Sequence, residues 1–146
     1  MQKGLFLRIG EGPYRFLLAT EDVREVVKRD DRQPEADGTP SIALTSFIRG
    51  DTSWPVLRLG SVLGFEAGEW KEAVLLNDGG TAVGFAIETT RLLEESYALD
   101  VRPFFSVGCY FGPHPLYKGV CKDGGELTLV FDAAGVGQML RAALCV

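Results

Sequence analysis

The stretch AVLLNDGGTAVGFAIE, residues 73–88, decides the fold class of this chain. Its two apolar runs flank Asp78-Gly79, and an Asp-Gly pair between apolar runs is one of the strongest short-range signals of a β-hairpin. Two further pairs of apolar runs flank Gly-rich turns and predict hairpins of the same kind: residues 5–9 with 14–18, and residues 116–121 with 126–131. The chain is therefore predicted to be mostly β, with strands that follow one another at hairpin spacing.

The segment after the last hairpin predicts a terminal helix over about residues 132–144. Asp132 can accept a hydrogen bond from the first helical turn, which makes it a suitable N-cap. Apolar residues then fall on one stripe of the helix: Val136, Leu140, Ala143 and Leu144, with Met139 beside them. This stripe is expected to pack against the strands.

About nine or ten short strands separated by Gly- and Pro-rich turns indicate a sandwich or small barrels. The length of 146 residues is typical of one domain. We predict a single domain over residues 1–146 made of two small barrels. Subdomain one takes about 12–72 plus an exchange of the terminal segments, and subdomain two takes about 73–131. Because each barrel has few residues for a core of its own, the contact between them is expected to be apolar and rigid.

The composition is that of an acidic globular protein. Lys and Arg number 15 and Asp and Glu number 20, which gives a formal net charge of −5. This charge argues against a nucleic-acid binder, which needs a basic face, and against electrostatic docking on an anionic membrane. No apolar run approaches the ~20 residues of a membrane span, and no signal-peptide pattern is present, so we expect a cytoplasmic protein.

The residues that could carry chemistry do not form a catalytic or metal-binding motif. The single histidine, His114, and the cysteines Cys109 and Cys121 lack the spacing of a four-ligand zinc site. With Cys145, the three cysteines are too few for a disulfide framework. Cys121 lies on a predicted strand, where alternation places its neighbour Lys122 on the opposite face. We therefore expect the Cys121 thiol to be buried and unreactive. We predict that the protein is not an enzyme and needs no cofactor or metal.

Several segments, in their order and spacing, resemble the CheW-like chemotaxis coupling domain over about residues 4–141. In the first half they are Leu5-Phe6-Leu7 with Tyr14-Arg15-Phe16, Val23-Arg24-Glu25-Val26, Phe47-Ile48-Arg49-Gly50 and Pro55-Val56-Leu57-Arg58-Leu59. In the second half they are Gly84-Phe85-Ala86-Ile87-Glu88, Tyr117-Lys118-Gly119-Val120 and Leu127-Thr128-Leu129-Val130-Phe131-Asp132.

The resemblance implies a fold and a function. The fold is two packed SH3-like β-barrels with short helical turns and a C-terminal helix. The function is that of a non-catalytic adaptor, which couples the cytoplasmic tips of chemoreceptors to a CheA-type histidine kinase. Because the kinase has a regulatory domain of the same fold, the resemblance implies that domain and the receptor tip as partners. The adaptor would associate with membrane receptor arrays only through these partners.

The resemblance also implies a partner-binding site. The family's Asn-Leu-Arg-Gly segment, which contacts receptor and kinase, corresponds to Phe47-Ile48-Arg49-Gly50, and the glutamate of its Val-x-Glu-Ile stretch corresponds to Glu25. We hypothesise an ion pair between Glu25 and Arg49. Gly50 is expected to adopt a positive φ in a tight turn.

Aromatic residues near Arg49 are candidate surface anchors, because arginine beside aromatics is typical of a binding hot spot. Trp54, Phe47 and Tyr110 are the candidates, at strand ends or in loops. A place in the core is the alternative for each of them, and for Trp54 the sequence favours neither position.

The chain departs from the family pattern at several places: the spacing from Gly50 to Pro55 is one residue longer, and the strand before the first Arg-Gly lacks the usual Gly-Val. Phe47 replaces the asparagine, Arg58 replaces the aspartate of the Pro-Val-x-Asp-Leu run, and residues 29–40 form a polar loop rich in Asp and Pro. These departures predict a divergent member that could retain only one of the two partner surfaces. Two other functions stay open: a small-ligand- or flavin-binding barrel with residues 102–116 along its pocket, or a structural barrel that only dimerises.

Overall fold

The computed structural model of the protein describes residues 5–30, 43–92, 115–123 and 125–145. The first strands are β1 (Phe6–Glu11) and β2 (Tyr14–Ala19), and a 3-10 turn (Thr20–Asp22) leads into β3 (Val23–Lys28). After these come β4 (Thr45–Arg49), β5 (Thr52–Arg58), helix α1 (Leu59–Leu63), β6 (Glu72–Leu76), β7 (Gly84–Ile87) and β8 (Thr89–Leu92). The last elements are β9 (Tyr117–Asp123), β10 (Glu126–Phe131) and helix α2 (Ala133–Leu144).

The three predicted hairpins are confirmed. β6 pairs antiparallel with β7 around Asp78-Gly79, β1 pairs with β2, and β9 pairs with β10. In the ranges above, none of the helices has the length and apolar character needed to cross a lipid bilayer.

The strands form two five-stranded sheets, each curled into a half-barrel. The terminal sheet takes its strands from both ends of the chain, in the order β8-β1-β2-β10-β9. The central sheet has the order β3-β6-β7-β5-β4. The predicted fold class, mostly β with two packed SH3-like barrels, short helical turns and a C-terminal helix, is confirmed, and each barrel is a curled five-stranded sheet.

The subdomain boundary predicted near residue 72 does not separate the two sheets. β6 and β7, which the prediction placed in the second subdomain, pair with β3 and β5 in the central sheet. The terminal sheet instead joins β1 and β2 to the late strands, through parallel pairing of β2 with β10. Hairpin signals are local and cannot reveal these pairings, because the paired strands are not consecutive in the chain, whether they run parallel, as in β5–β7 and β2–β10, or antiparallel, as in β3–β6.

The largest core lies between the two sheets. The terminal sheet contributes Leu7, Ile9, Phe16 and Leu18, the central sheet contributes Leu57, Val74, Leu76, Phe85 and Ile87, and α2 contributes Val136 and Leu140. The contact between the two sheets is therefore apolar, although the sheets do not have the bounds predicted for the two barrels, and the rigidity of the contact stays a prediction.

Each half-barrel also has a smaller apolar cluster of its own. Leu17 lies between Phe16 and Leu18 in sequence but points the other way, into a cluster of the terminal sheet that includes Phe6 and Val130. Both faces of the sheet are thus covered, so β2 is apolar at successive positions rather than at alternate ones.

Helix α2 begins as predicted. The Asp132 side chain accepts a hydrogen bond from the Gly135 amide at 3.1 Å. Near the other end, Arg141 reaches the β6–β7 turn, where its Nη1 and Nη2 donate to Asp78 Oδ2 and Oδ1, each at 2.8 Å. The helix that follows the terminal sheet is therefore tied to the central sheet.

Candidate protein-interaction site

The partner-binding residues inferred from sequence come together where the two edge strands of the central sheet meet. β3 and β4 are the first and last strands in its order, and its curl brings them opposite one another. Arg24 and Glu25 project from β3, and Phe47 and Arg49 project from β4. We call the place where these side chains of β3 and β4 meet the edge junction.

Glu25 and Arg49 form the hypothesised ion pair across the edge junction. Arg49 Nε donates to Glu25 Oε1 at 2.8 Å, and Nη2 donates to Oε2 at 2.9 Å. The third guanidinium nitrogen, Nη1, donates to the Ile48 carbonyl at 3.0 Å. This geometry is bidentate, which fixes direction as well as distance.

The environment of the pair keeps both groups charged. The hydrogen bonds from Arg49 hold the pKa of Glu25 below its ordinary value, and the carboxylate raises the pKa of Arg49. The Arg49 and Glu25 side chains are 34% and 39% exposed. A partner can therefore contact the pair from solvent without unfolding the strands around it.

A β-bulge in β3 directs two successive side chains to the edge junction. The register of β3 against β6 shifts between Val23 and Glu25, so Arg24 is an extra residue. The Arg24 guanidinium lies over the Trp54 ring, 5.4 Å from the centroid, while Glu25 binds Arg49. Bulges at sheet edges re-aim side chains in this way and occur beside binding sites.

The β4–β5 turn carries the other predicted residues. Gly50 has φ of 61°, as expected, and an added Cβ would meet nothing within 4 Å. Ile48, two residues before it, is 70% exposed on the outer face of β4. An exposed β-branched side chain next to an ion pair is a suitable apolar anchor.

Phe47 and Trp54 lie opposite each other in the β4–β5 ladder and point into the central half-barrel. They are 6% and 9% exposed and pack in a cluster with Trp70. They therefore line the interior beneath the edge junction instead of standing on the surface. Their part in partner binding stays a prediction, and Tyr110 lies outside the described residues.

The sequence did not single out Arg24 as a site residue. Its only signal was a charged pair, Arg24-Glu25, inside an otherwise β-branched run. That pattern does not reveal a bulge, which appears only when β3 is aligned with β6.

The other candidates for chemistry do not form a site in the described ranges. Cys121 is buried, as predicted, and Cys145 is exposed. No group of three or more His, Cys, Asp and Glu side chains in those ranges could hold a metal ion. His114 and Cys109 lie outside the described residues, as does most of the loop, residues 102–116, that was considered for a ligand pocket.

Comparisons with known proteins identify the fold. No family model matches the sequence, and no curated protein matches it. Among solved structures, the scaffolding protein TtCheW from Thermoanaerobacter tengcongensis is similar with a TM-score of 0.66 and 13% sequence identity. The match covers 90% of each chain. The CheW-like fold that the sequence motifs predicted is therefore confirmed.

Proposed function

We propose that the protein is a non-catalytic adaptor in a bacterial chemosensory array, where it couples chemoreceptors to a CheA-type histidine kinase. The observation that carries the proposal is the Glu25–Arg49 pair within a CheW-like fold. The structural neighbour is named a scaffolding protein, which supports the same class of role for this chain.

The physical properties of the edge junction suit protein recognition. The bidentate pair is rigid and partly exposed, and Ile48 stands beside it as an apolar contact. Arginine within a group of aromatic residues is typical of interface hot spots, where a few side chains carry most of the binding energy. Phe47 and Trp54 support the junction from inside, so they would hold its shape for a partner.

The partners that we propose are the regulatory domain of the kinase and the cytoplasmic tip of the receptor. The protein would act in the cytoplasm and reach the membrane array only through them. Its net charge of −5 agrees with association through protein surfaces rather than through anionic lipid.

The test is a titration of the full chain against both partners from the same genome. We expect saturable binding, with R49A weakening it at least about tenfold, as expected for a hot-spot arginine. R15A is the matched control, because Arg15 also pairs with a glutamate, Glu126, but on the terminal sheet and at 3.4 Å. We expect R15A to bind like the unaltered chain.

The outcomes separate the alternatives. Binding to the receptor tip alone would mean a receptor-only coupler, in which the kinase surface has been lost. No binding to either partner, together with a stable homodimer, would contradict the adaptor role and favour a structural barrel.

A further inference from the structure

The indole N–H of Trp54 is a buried donor without an acceptor. Among the described residues, the nitrogen Nε1 has no hydrogen-bond partner, and Trp54 is 9% exposed. Leaving a donor unsatisfied in the interior is unfavourable, and such groups in folded proteins call for an explanation.

Arg24 lies over this indole and has no carboxylate partner among the described residues. Three arginines on or next to the central sheet lie over aromatic rings: Arg24 over Trp54 at 5.4 Å, Arg29 over Trp70 at 4.8 Å and Arg49 over Phe47 at 5.8 Å. Arg49 also binds the Glu25 carboxylate, and Arg29 binds the Trp70 carbonyl at 3.2 Å. Among the described residues, the Arg24 guanidinium contacts the Trp54 ring, and its charge also acts on the neighbouring Glu25 carboxylate, but it forms no close ion pair, so its donors remain available.

The local charge favours an acidic group. Arg24, Glu25 and Arg49 carry a net charge of +1 at the edge junction, while the whole chain carries −5. Arg24 is exposed, so its side chain can turn away from the ring without disturbing the core. A carboxylate has two oxygens, which matches one guanidinium donor and one indole donor.

We propose that Arg24 and Trp54 Nε1 together bind a carboxylate of an aspartate or glutamate side chain on the protein partner. Arg24 turns aside from the indole face, and the carboxylate approaches the edge of the ring, because the N–H lies in the ring plane; one oxygen pairs with the guanidinium and the other accepts from Nε1. The inference rests on the proposed function for the identity of the partner and adds the chemistry that the partner must present.

The test follows the two indole N–H signals by NMR in the uniformly nitrogen-15-labelled full chain. W54F and W70F assign the two signals, since each removes one. On titration with the receptor tip or the kinase regulatory domain, we expect the Trp54 indole proton to move downfield, as a new hydrogen bond requires. Sodium acetate at millimolar concentration should not reproduce the shift, because the proposed ligand belongs to a protein surface.

Affinity measurements give the second readout. We expect W54F and R24Q each to weaken binding at least about tenfold, because each removes a hydrogen bond to a charged group. The matched controls are W70F, a second buried tryptophan beneath an arginine, and K28Q, which removes another positive charge from an exposed position on β3. Both should bind within about twofold of the unaltered chain.

The outcomes distinguish this inference from the function on which it rests. If the unaltered chain binds its partner and both W54F and R24Q bind equally well, the carboxylate site is wrong and the adaptor role stands. If the unaltered chain binds neither partner, the adaptor role and the site both fail. Should W54F not fold, R24Q at its exposed position still decides the matter.

Discussion

Arg58 on β5 holds Glu11 of β1 in a bidentate ion pair that joins the two sheets. Its Nε donates to Oε2 at 2.9 Å and its Nη2 donates to Oε1 at 3.0 Å. The carboxylate is fully buried and also accepts from the Gly60 amide at 2.9 Å. Arg58 occupies the position where the CheW-like pattern has an aspartate, and its partner lies 47 residues away.

This pair predicts a large loss of stability when one partner is removed. E11A leaves the Arg58 guanidinium largely buried without its carboxylate, and we expect it to lower the free energy of unfolding by about 3–5 kcal/mol. Urea unfolding measures the change. R15A, which breaks the exposed Arg15–Glu126 pair, should lower it by less than about 1 kcal/mol. Equal losses in the two variants would contradict the prediction.

The Arg141–Asp78 pair predicts that stability falls in acid. Hydrogen bonds from Arg141 hold the pKa of Asp78 below its ordinary value. The unfolded chain therefore takes up the proton at a higher pH than the folded chain. The stabilisation is complete above the ordinary carboxyl pKa of about 3.9 and is lost as pH falls through the lower folded-state pKa. We expect D78N to cost about 1–3 kcal/mol at pH 7 and progressively less below about pH 4.

Asp22 provides the control for that prediction. Burial raises its pKa, partly offset by Lys118, so its charge disfavours the folded state near neutral pH. D22N should therefore leave the free energy of unfolding at pH 7 unchanged or higher, measured by the same urea titrations. A loss in D22N as large as that in D78N would show that the substitution itself, and not the Arg141 pairing, determines the result.

The Glu25–Arg49 pair predicts coupled effects on partner binding. E25A and R49A should each weaken binding, and the double variant should be little worse than the weaker-binding single variant, because the two side chains act as one unit. Calorimetric titration against the kinase regulatory domain and the receptor tip measures the coupling. Strictly additive losses would mean that the two residues act independently.

Replacing Gly135 in α2 with alanine is expected to lower the stability of the protein, which is the opposite of the usual effect of this substitution in a helix. In an isolated helix, Gly to Ala stabilises by about 1 kcal/mol. Here an added Cβ would lie 1.9 Å from the Pro115 carbonyl oxygen, so backbone must move. We expect G135A to destabilise the protein by about 1–3 kcal/mol, measured by urea unfolding. An increase in stability would show that Pro115 does not press against α2.

Gly50 predicts a different response, because its constraint is conformational and not steric. Its φ of 61° disfavours a side chain, while the space around it is open. We expect G50A to lower the free energy of unfolding by about 1–2 kcal/mol and G50N by less, since asparagine tolerates the left-handed conformation. Equal losses for Ala and Asn would contradict this explanation.

Local sequence features predicted the elements well. The Asp78-Gly79 turn, the Asp132 cap and the apolar stripe of α2 all depend on neighbours within a few residues, and each is present. The Glu25–Arg49 pair was inferred from family motifs, not from spacing, and the structure contains it.

The features that the sequence did not reveal all depend on distant partners. Alternation could not assign β6 and β7 to the central sheet, because hairpin signals do not specify which other strand each one meets. Trp54 gave no preference between core and surface, and its burial follows from the curl of the sheet that carries it.

The sequence by itself therefore determined the β-rich class, the three hairpins and the terminal helix, and its family motifs indicated the Glu25–Arg49 pair. Only the tertiary structure decided how the strands divide between two sheets and which acid neutralises Arg58. It also decided that Arg24 lies over the Trp54 ring, whose N–H has no partner among the described residues. The physical reason is one of range. Turns, caps and alternating apolar residues act within a few positions, whereas sheet curvature and buried charge pairs join residues that are close only after folding.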